Sequence, residues 1–244
     1  MEAFGLSDDL SAVGRLLQEV SYESAKSYHD GGMGRENVLT VEVFQALDLL
    51  PREAFLGSVV GAAHGAVQAR ERLIESIGNC TVGILVGDIS PTLASGGKAA
   101  WSIQPDAVIE SDPVVCLVEA KRLRTTRFHP QQLARCLQTV MDPKIDKLGF
   151  VLLVLGDDPP IPVAGHGRVD LCAAVGIGLD LQDVSWEHEQ LTELVHTRIA
   201  WIIWREIVEC VESALANQQD GDESAHAALA RLVTSVSESV RRHS

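Results

Sequence analysis

The sequence QPDAVIE at residues 104–110 is followed, after the turn residues Ser-Asp-Pro, by VVCLVEAK at residues 114–121. Two apolar, β-branched runs on either side of a short turn predict a β-hairpin. Since side chains two positions apart on a strand point to the same face, Glu119 and Lys121 are predicted to be neighbours. Asp106 lies at the start of the first strand, so the hairpin is expected to bring its carboxylate alongside Glu119.

Further β-type runs and a helix surround this hairpin. We predict strands at residues 81–86, 103–109, 114–120 and 150–155, each bounded by Gly, Pro or Asp. A helix over about residues 130–140 lies between the third and fourth strands. A strand, a helix and another strand in succession indicate a crossover, and therefore a mixed, partly parallel sheet.

Helical spacing of apolar residues predicts most of the remaining elements. One helix begins at Ser7 and ends before the glycines at 31–34, and the others cover about residues 40–50, 51–77, 186–216 and 223–241. Residues 168–181 are ambiguous between strand and helix and are left unassigned. The chain divides into a helical preface at 1–34, a core at 35–155 and a C-terminal loop and helical extension at 156–244.

The composition is that of an acidic protein able to fill a sizeable core. The chain has 244 residues, 46% of them hydrophobic, and a formal net charge of −14. Its five cysteines are scattered and never spaced as CxxC, which argues against a disulfide framework or zinc knuckle and favours a reducing cytoplasm. The N-terminus lacks a basic region followed by an apolar stretch, and the longest apolar runs are too short to span a bilayer, so we expect a soluble, unexported protein.

The hairpin also predicts a chemistry. The converging carboxylates of Asp106 and Glu119 make a hard oxygen site suited to Mg²⁺ or Mn²⁺. A metal held there would lower the pKa of a bound water and stabilise charge in a phosphate transition state. The ammonium of Lys121 would orient the attacking water or neutralise the developing negative charge.

Pro105-Asp106 followed by Glu119-Ala120-Lys121 resembles the signature of the PD-(D/E)XK nuclease superfamily, and the resemblance covers about residues 35–155. It implies a restriction-endonuclease-like α/β fold, an αβββαβ core with a mixed central sheet, here with additional N- and C-terminal helices. It also implies a metal-dependent nuclease in which Asp106, Glu119 and Ala120 bind the metal and Lys121 assists catalysis.

The same resemblance extends to two helices of the core. Members often carry an acidic residue on the first core helix, which implies Glu36 here, with Glu42 as the alternative. Many also carry a glutamine on the helix after the Glu-x-Lys strand, where Gln132 is the better match and Gln131 the next. The tyrosine often found four residues later is replaced by Cys136.

Basic residues are densest directly after the Glu-x-Lys strand, at Arg122, Arg124 and Arg127. They form either a solvated loop or a grip on the phosphodiester backbone of DNA, since guanidinium binds phosphate in a bidentate fashion. The sequence leaves both explanations open.

Other chemically interesting residues have ordinary structural explanations. Asp88 could reach a metal from the loop after the first strand, but it precedes a Ser-Pro turn, where an aspartate more often caps locally. His64 lies on an apolar helix face and is predicted to be a core histidine. His129 lies beside the arginines and could contact DNA, but it is predicted to end a loop. Trp201 and Trp204 are predicted to belong to the core or to a subunit interface, and not to a base-stacking platform.

The sequence as a whole predicts a Mg²⁺-dependent (or Mn²⁺-dependent) deoxyribonuclease in a prokaryotic defence, restriction or repair setting. Two alternatives stay open: a catalytically inactive subunit of the same fold that acts as a scaffold, and a carboxylate-metal hydrolase of another substrate. A net charge of −14 repels DNA at long range, so a homo-oligomer or a more basic protein partner is expected to supply DNA binding. The helices predicted at 186–216 and 223–241 are the expected docking surface.

Overall fold

The computed structural model describes residues 34–92, 99–121, 127–218 and 223–243. The helix predicted to begin at Ser7 lies outside these residues. The described part of the chain is an α/β protein with a mixed six-stranded central sheet flanked by helices. Within it, no helix is both long enough and apolar enough to cross a membrane.

The elements are numbered here in chain order. The helices are α1 (Gly34–Leu49), α2 (Leu56–Ala62), α3 (Val67–Glu75), α4 (Pro130–Val140), α5 (Leu171–Asp180), α6 (His188–Arg198), α7 (Trp204–Asn217) and α8 (Glu223–His243). The strands are β1 (His64–Gly65), β2 (Thr81–Ile84), β3 (Ala107–Glu110), β4 (Val114–Ala120), β5 (Leu148–Leu155), β6 (Ile161–Val163), β7 (Gly167–Val169) and β8 (Ile199–Ile203).

The strands of the central sheet lie in the order β1-β8-β5-β4-β3-β2. β2, β3 and β4 form an antiparallel meander, whereas β5 runs parallel to both β4 and β8. Helix α4 makes the crossover that a parallel β4–β5 pair requires. The predicted mixed sheet is confirmed, and the predicted strands match to within a few residues. β3 begins later than predicted, at Ala107, and Ile103 instead forms an isolated antiparallel bridge with Ile89.

Alternation along β4 produces a three-layer arrangement. All seven residues of β4 are buried, as expected for a strand covered on both faces. Val114, Cys116 and Val118 join one core cluster with α1, α2, α3, α7 and α8. Val115 and Leu117 join the other cluster with α4, α5 and α6. Odd-numbered positions beyond Leu117 therefore face the α4 layer.

The predicted helix over residues 186–216 is wrong at its centre. The structure has α6, then the five-residue strand β8, then α7. The sequence of β8, Ile-Ala-Trp-Ile-Ile, is rich in the β-branched and aromatic side chains that favour strands. β8 lies between β1 and β5, so a segment from beyond residue 155 supplies a strand of the central sheet.

The predicted helix over residues 51–77 is also interrupted. Between α2 and α3 the chain forms the short edge strand β1, which pairs with β8. Gly65 and Ala66 have positive φ angles of 78° and 43°, so the chain leaves the right-handed helical conformation there. A Cβ at Gly65 would lie 2.4 Å from the carbonyl oxygen of Ile199, so the close approach of β8 also requires glycine.

The apolar residues that suggested a docking surface are largely buried in the core of the chain. Trp204 is 1% exposed and belongs to the core. Val233 and Val236 of α8 are buried in the cluster that α1 and α7 share. His64, predicted to be a core residue, is instead exposed and stacks on the half-buried Trp201 with ring centroids 4.1 Å apart. The predicted partner therefore has less apolar surface to bind than the sequence suggested.

Residues 168–181, which the sequence left ambiguous, contain the end of β7 and helix α5. α5 begins at a side-chain cap, since Asp170 Oδ1 accepts a 2.7 Å hydrogen bond from the amide of Ala173. It approaches α4 very closely: a Cβ at Gly178 would lie 2.0 Å from the carbonyl oxygen of Pro130. This contact fixes the first turn of α4, where the candidate glutamine lies.

We expect Gly178→Ala to lower the free energy of unfolding by about 2 kcal/mol or more, because the added methyl group would force α4 and α5 apart. Gly176→Ala on the same helix is the matched control, since its Cβ meets only the terminal Cδ2 methyl of Leu191 at 3.3 Å. That control should be neutral or stabilising, because alanine favours a helix over glycine by about 1 kcal/mol. Urea unfolding followed by circular dichroism measures both, and equal effects would contradict the close contact.

Candidate active site

The two predicted carboxylates lie at the end of the β3–β4 hairpin that is opposite its turn. Asp106 directly precedes β3, and Glu119 is the penultimate residue of β4. The register pairs Ala107 with Val118, so Asp106 and Glu119 are the next opposite positions. A 3.0 Å hydrogen bond from the Asp106 amide to the Val118 carbonyl extends the pairing to this point.

The side chain of Asp106 binds the backbone of the Glu-x-Lys strand. Its Oδ2 accepts a 2.7 Å hydrogen bond from the amide of Ala120. In an extended strand the N–H and C=O of one residue point to the same side, so the Ala120 carbonyl faces the same edge of β4 as the carboxylate. Two of the predicted metal ligands, Asp106 and Ala120, therefore share one edge of the strand.

Glu119 is a buried carboxylate with two donors on one oxygen. It is 2% exposed. Lys121 Nζ lies 2.6 Å from Glu119 Oε1, and Gln132 Nε2 lies 2.8 Å from the same atom. A carboxylate removed from water needs such partners, because its desolvation is costly. Of the two candidate glutamines, Gln132 makes this contact, whereas Gln131 is exposed.

Lys121 is held by residues that the sequence did not assign to the site. Its ammonium lies 5.6 Å from the ring centroid of Phe128, within cation–π range. Its backbone carbonyl accepts a 2.9 Å hydrogen bond from Trp204 Nε1. The sequence did offer a signal for Phe128, since it is an aromatic residue shortly before the helix that carries the candidate glutamine. No local pattern connects Trp204 with a residue so far away along the chain.

Cys136 lies one turn after Gln132 on α4, where the resemblance implies a tyrosine. Burial raises the pKa of its thiol well above the ordinary value. The charge of Glu119 raises this pKa further, Lys121 lowers it and Asp106 raises it. The thiol is neutral at physiological pH.

Three predicted site residues cannot be placed. The side chain of Glu36, at the start of α1, lies outside the described part of the chain, as do Arg122 and Arg124 entirely. The alternative acidic residue, Glu42, is half-buried and lies 4.0 Å from Arg242 of α8. Its carboxylate is thus directed toward the C-terminal helix.

Three further candidates are exposed to solvent. Arg127 and His129 flank the buried Phe128 at the approach to α4, and Asp88 lies in the loop after β2. An exposed Arg127 agrees both with a solvated loop and with a grip on a DNA backbone. The predicted role of His129 as a residue that ends a loop agrees with its position directly before α4.

The donor set suits a hard divalent cation. Among the described residues, no group of three or more His, Cys, Asp or Glu side chains is placed to hold a metal. Mg²⁺, however, is typically bound through one or two carboxylates and keeps several waters. Asp106, Glu119 and the Ala120 carbonyl are therefore a chemically suitable set of oxygen ligands for it.

Two cavities in the described part of the chain lie elsewhere. One, of about 410 Å³, lies between α5, α6 and β8 and is lined mainly by apolar groups. The other, of about 260 Å³, lies at the turn end of the β3–β4 hairpin, beside a buried ion pair in which Lys147 Nζ is 2.6 Å from Glu110 Oε1. Neither is lined by Asp106, Glu119 or Lys121.

Comparison with known proteins adds little. No family model and no curated protein matches the sequence. One solved structure that the fold matches is described as "Protein of Unknown Function AF1548", with 12% sequence identity and a TM-score of 0.26. The match covers 77% of this chain and 98% of that chain. A likeness of this size carries no argument about function.

We expect Cys136 to resist a thiol reagent at pH 8 in the folded protein, because it is buried and its pKa is raised. Cys172, which is partly exposed, should react rapidly. Cys172→Ser should therefore reduce the fast phase, to which the partly exposed Cys210 also contributes, whereas Cys136→Ser should leave it unchanged. Rapid labelling of Cys136, located by peptide mass spectrometry, would show that α4 does not cover the site as described.

Proposed function

We propose that this chain is a Mg²⁺-dependent deoxyribonuclease with a PD-(D/E)XK, restriction-endonuclease-like core. The observation that carries the proposal is the meeting of Asp106, Glu119 and Lys121 at one end of the hairpin, with Gln132 hydrogen-bonded to Glu119. These are the side chains that the superfamily signature requires, in the order in which it requires them.

The order of elements supports the same proposal. α1 precedes an antiparallel meander of β2, β3 and β4, and α4 then crosses to the parallel strand β5. This is an αβββαβ order with α2, β1 and α3 inserted after the first helix. Strand β8 and helices α5 to α8 are additions to that core.

Each proposed metal ligand is oriented by a second contact. Bound here, Mg²⁺ would polarise a phosphate oxygen and lower the pKa of a water. Asp106 is positioned by the Ala120 amide at 2.7 Å, and Glu119 by Gln132 at 2.8 Å. Carboxylates that are held in place before the substrate arrives need little reorganisation during the reaction.

Lys121 supplies the positive charge of the proposed site. Its side chain is 12% exposed and lies between Glu119 and the ring of Phe128. In such a poorly solvated position, the attraction between an ammonium and a developing negative charge is stronger than in water. Lys121 would therefore orient the attacking water or stabilise charge on the phosphate as its bond to the leaving oxygen breaks.

An inactive scaffold subunit is the second candidate. The observation that favours it is that Glu119 already has partners within the chain. Glu119 Oε1 already accepts hydrogen bonds from both Lys121 and Gln132. These contacts compensate a buried carboxylate in the absence of a metal, so they are also compatible with a purely structural role. Metal binding and DNA cleavage distinguish the two candidates.

The acidic composition affects how the chain would bind DNA. With a net charge of −14, the chain is proposed to act as a homo-oligomer or with a more basic partner, which would contribute to DNA binding. The resemblance to stand-alone nuclease chains favours a prokaryotic defence or restriction system.

Asp106→Ala and Glu119→Ala should each reduce Mg²⁺-dependent DNA cleavage by about 100-fold or more, because each removes a preorganised charged group from the reacting centre. Asp112→Ala is the matched control: this exposed aspartate lies in the turn of the same hairpin, and its loss should leave cleavage unchanged. Thermal unfolding of all three variants checks that the fold is retained. Full cleavage by either site variant would contradict the assignment, and no cleavage by the wild-type chain would favour the scaffold.

A further inference from the structure

A second arrangement of side chains borders the candidate site. Arg135 Cζ lies 5.5 Å from the ring centroid of Trp101, a distance at which a guanidinium interacts with an aromatic face. Arg135 follows Gln132 by three residues on α4, so the two are neighbours on the helix surface. Trp101 lies on the segment that leads into Asp106. The Arg135–Trp101 pair is thus next to the elements that hold both carboxylates.

The indole ring of Trp101 limits where the guanidinium of Arg135 can lie, because Cζ lies over the ring. Contact with an aromatic ring does not satisfy the five N–H donors of a guanidinium, which still need hydrogen-bond acceptors. Within the described part of the chain, Arg135 Nε is buried and has no hydrogen-bond partner, and the same holds for Oε1 of Gln138. Buried polar atoms nearly always have partners, so Nε of this cation lacks an acceptor that a bound anion near the site would supply.

We propose that Arg135 binds a backbone phosphate of the DNA substrate beside the cleaved bond, and that Trp101 is a positioning residue that holds its guanidinium in place. Guanidinium and phosphate carry opposite charges, and two N–H groups of one can bind two oxygens of the other. The inference rests on the proposed function and deepens it by assigning a substrate contact. It also gives an acidic chain a fixed cation at the site, in addition to Lys121.

The test is equilibrium binding of a fluorescent DNA duplex to the full chain in Ca²⁺, at several salt concentrations beginning at low salt. Arg135→Ala should weaken binding about tenfold and reduce the slope of log K against log salt by about 1, since one phosphate contact is lost. Trp101→Ala should produce part of the same loss, whereas Trp101→Phe, which keeps an aromatic face, should restore most of it. Arg231→Ala removes an exposed arginine of α8 and should change neither quantity.

The position of the contact can be located on the DNA duplex. Its phosphates are replaced one at a time by neutral methylphosphonates, and binding is measured for each duplex. One such substitution should weaken wild-type binding and have no further effect on Arg135→Ala. Arg135→Gln, which removes the charge but keeps the aliphatic stem and a polar end, serves if the alanine variant is unstable. Wild-type affinity and salt slope in both Arg135 variants would overturn the inference, as would a wild-type chain that does not bind DNA at low salt. DNA binding that depends on Arg135 without any cleavage would instead retain the phosphate contact and refute the nuclease activity.

Discussion

A carboxylate buried at the end of an apolar strand is the constraint on which the rest of the site depends. Glu119 is 2% exposed because β4 is covered on both faces and places this side chain toward α4. A charge in that position destabilises the fold unless it has close partners. Lys121 on the same face and Gln132 on α4 are those partners. The position of α4, fixed in turn by its contact with Gly178 of α5, is therefore part of what stabilises the charge.

The sequence predicts this part of the molecule well because its determinants are local. Turn residues specify the hairpin, and two-residue alternation puts Glu119 and Lys121 on one face. The crossover helix follows directly and carries Gln132 at a position from which it reaches Glu119. The metal, the DNA substrate and the partner stay predictions, since they depend on molecules that the chain binds and not on the fold alone.

The elements that the sequence mispredicted depend on contacts between distant segments. Helical spacing cannot distinguish a short buried strand from a buried helix, and Ile199–Ile203 becomes a strand through its pairing with β5 and β1. The helix predicted across Gly65 breaks for the same reason, because the edge of β8 lies against it. The hydrogen bond from Trp204 to the Lys121 carbonyl forms because β8 joins the sheet beyond β5 and starts α7 within reach of the residue that follows β4. Long-range strand pairing, and not local propensity, completes the surroundings of the site.

The central claim is that the carboxylates at the end of the hairpin hold a divalent metal. The most direct test is a Mn²⁺ titration of the purified chain, followed by electron paramagnetic resonance, with Mg²⁺ as competitor. Glu110→Gln is the control, because Glu110 is a buried carboxylate at the other end of the same hairpin. We predict that the wild type and Glu110→Gln bind Mn²⁺ and that Glu119→Gln loses this binding. Equal binding by the wild type and Glu119→Gln, or no binding by the wild type, would contradict the claim.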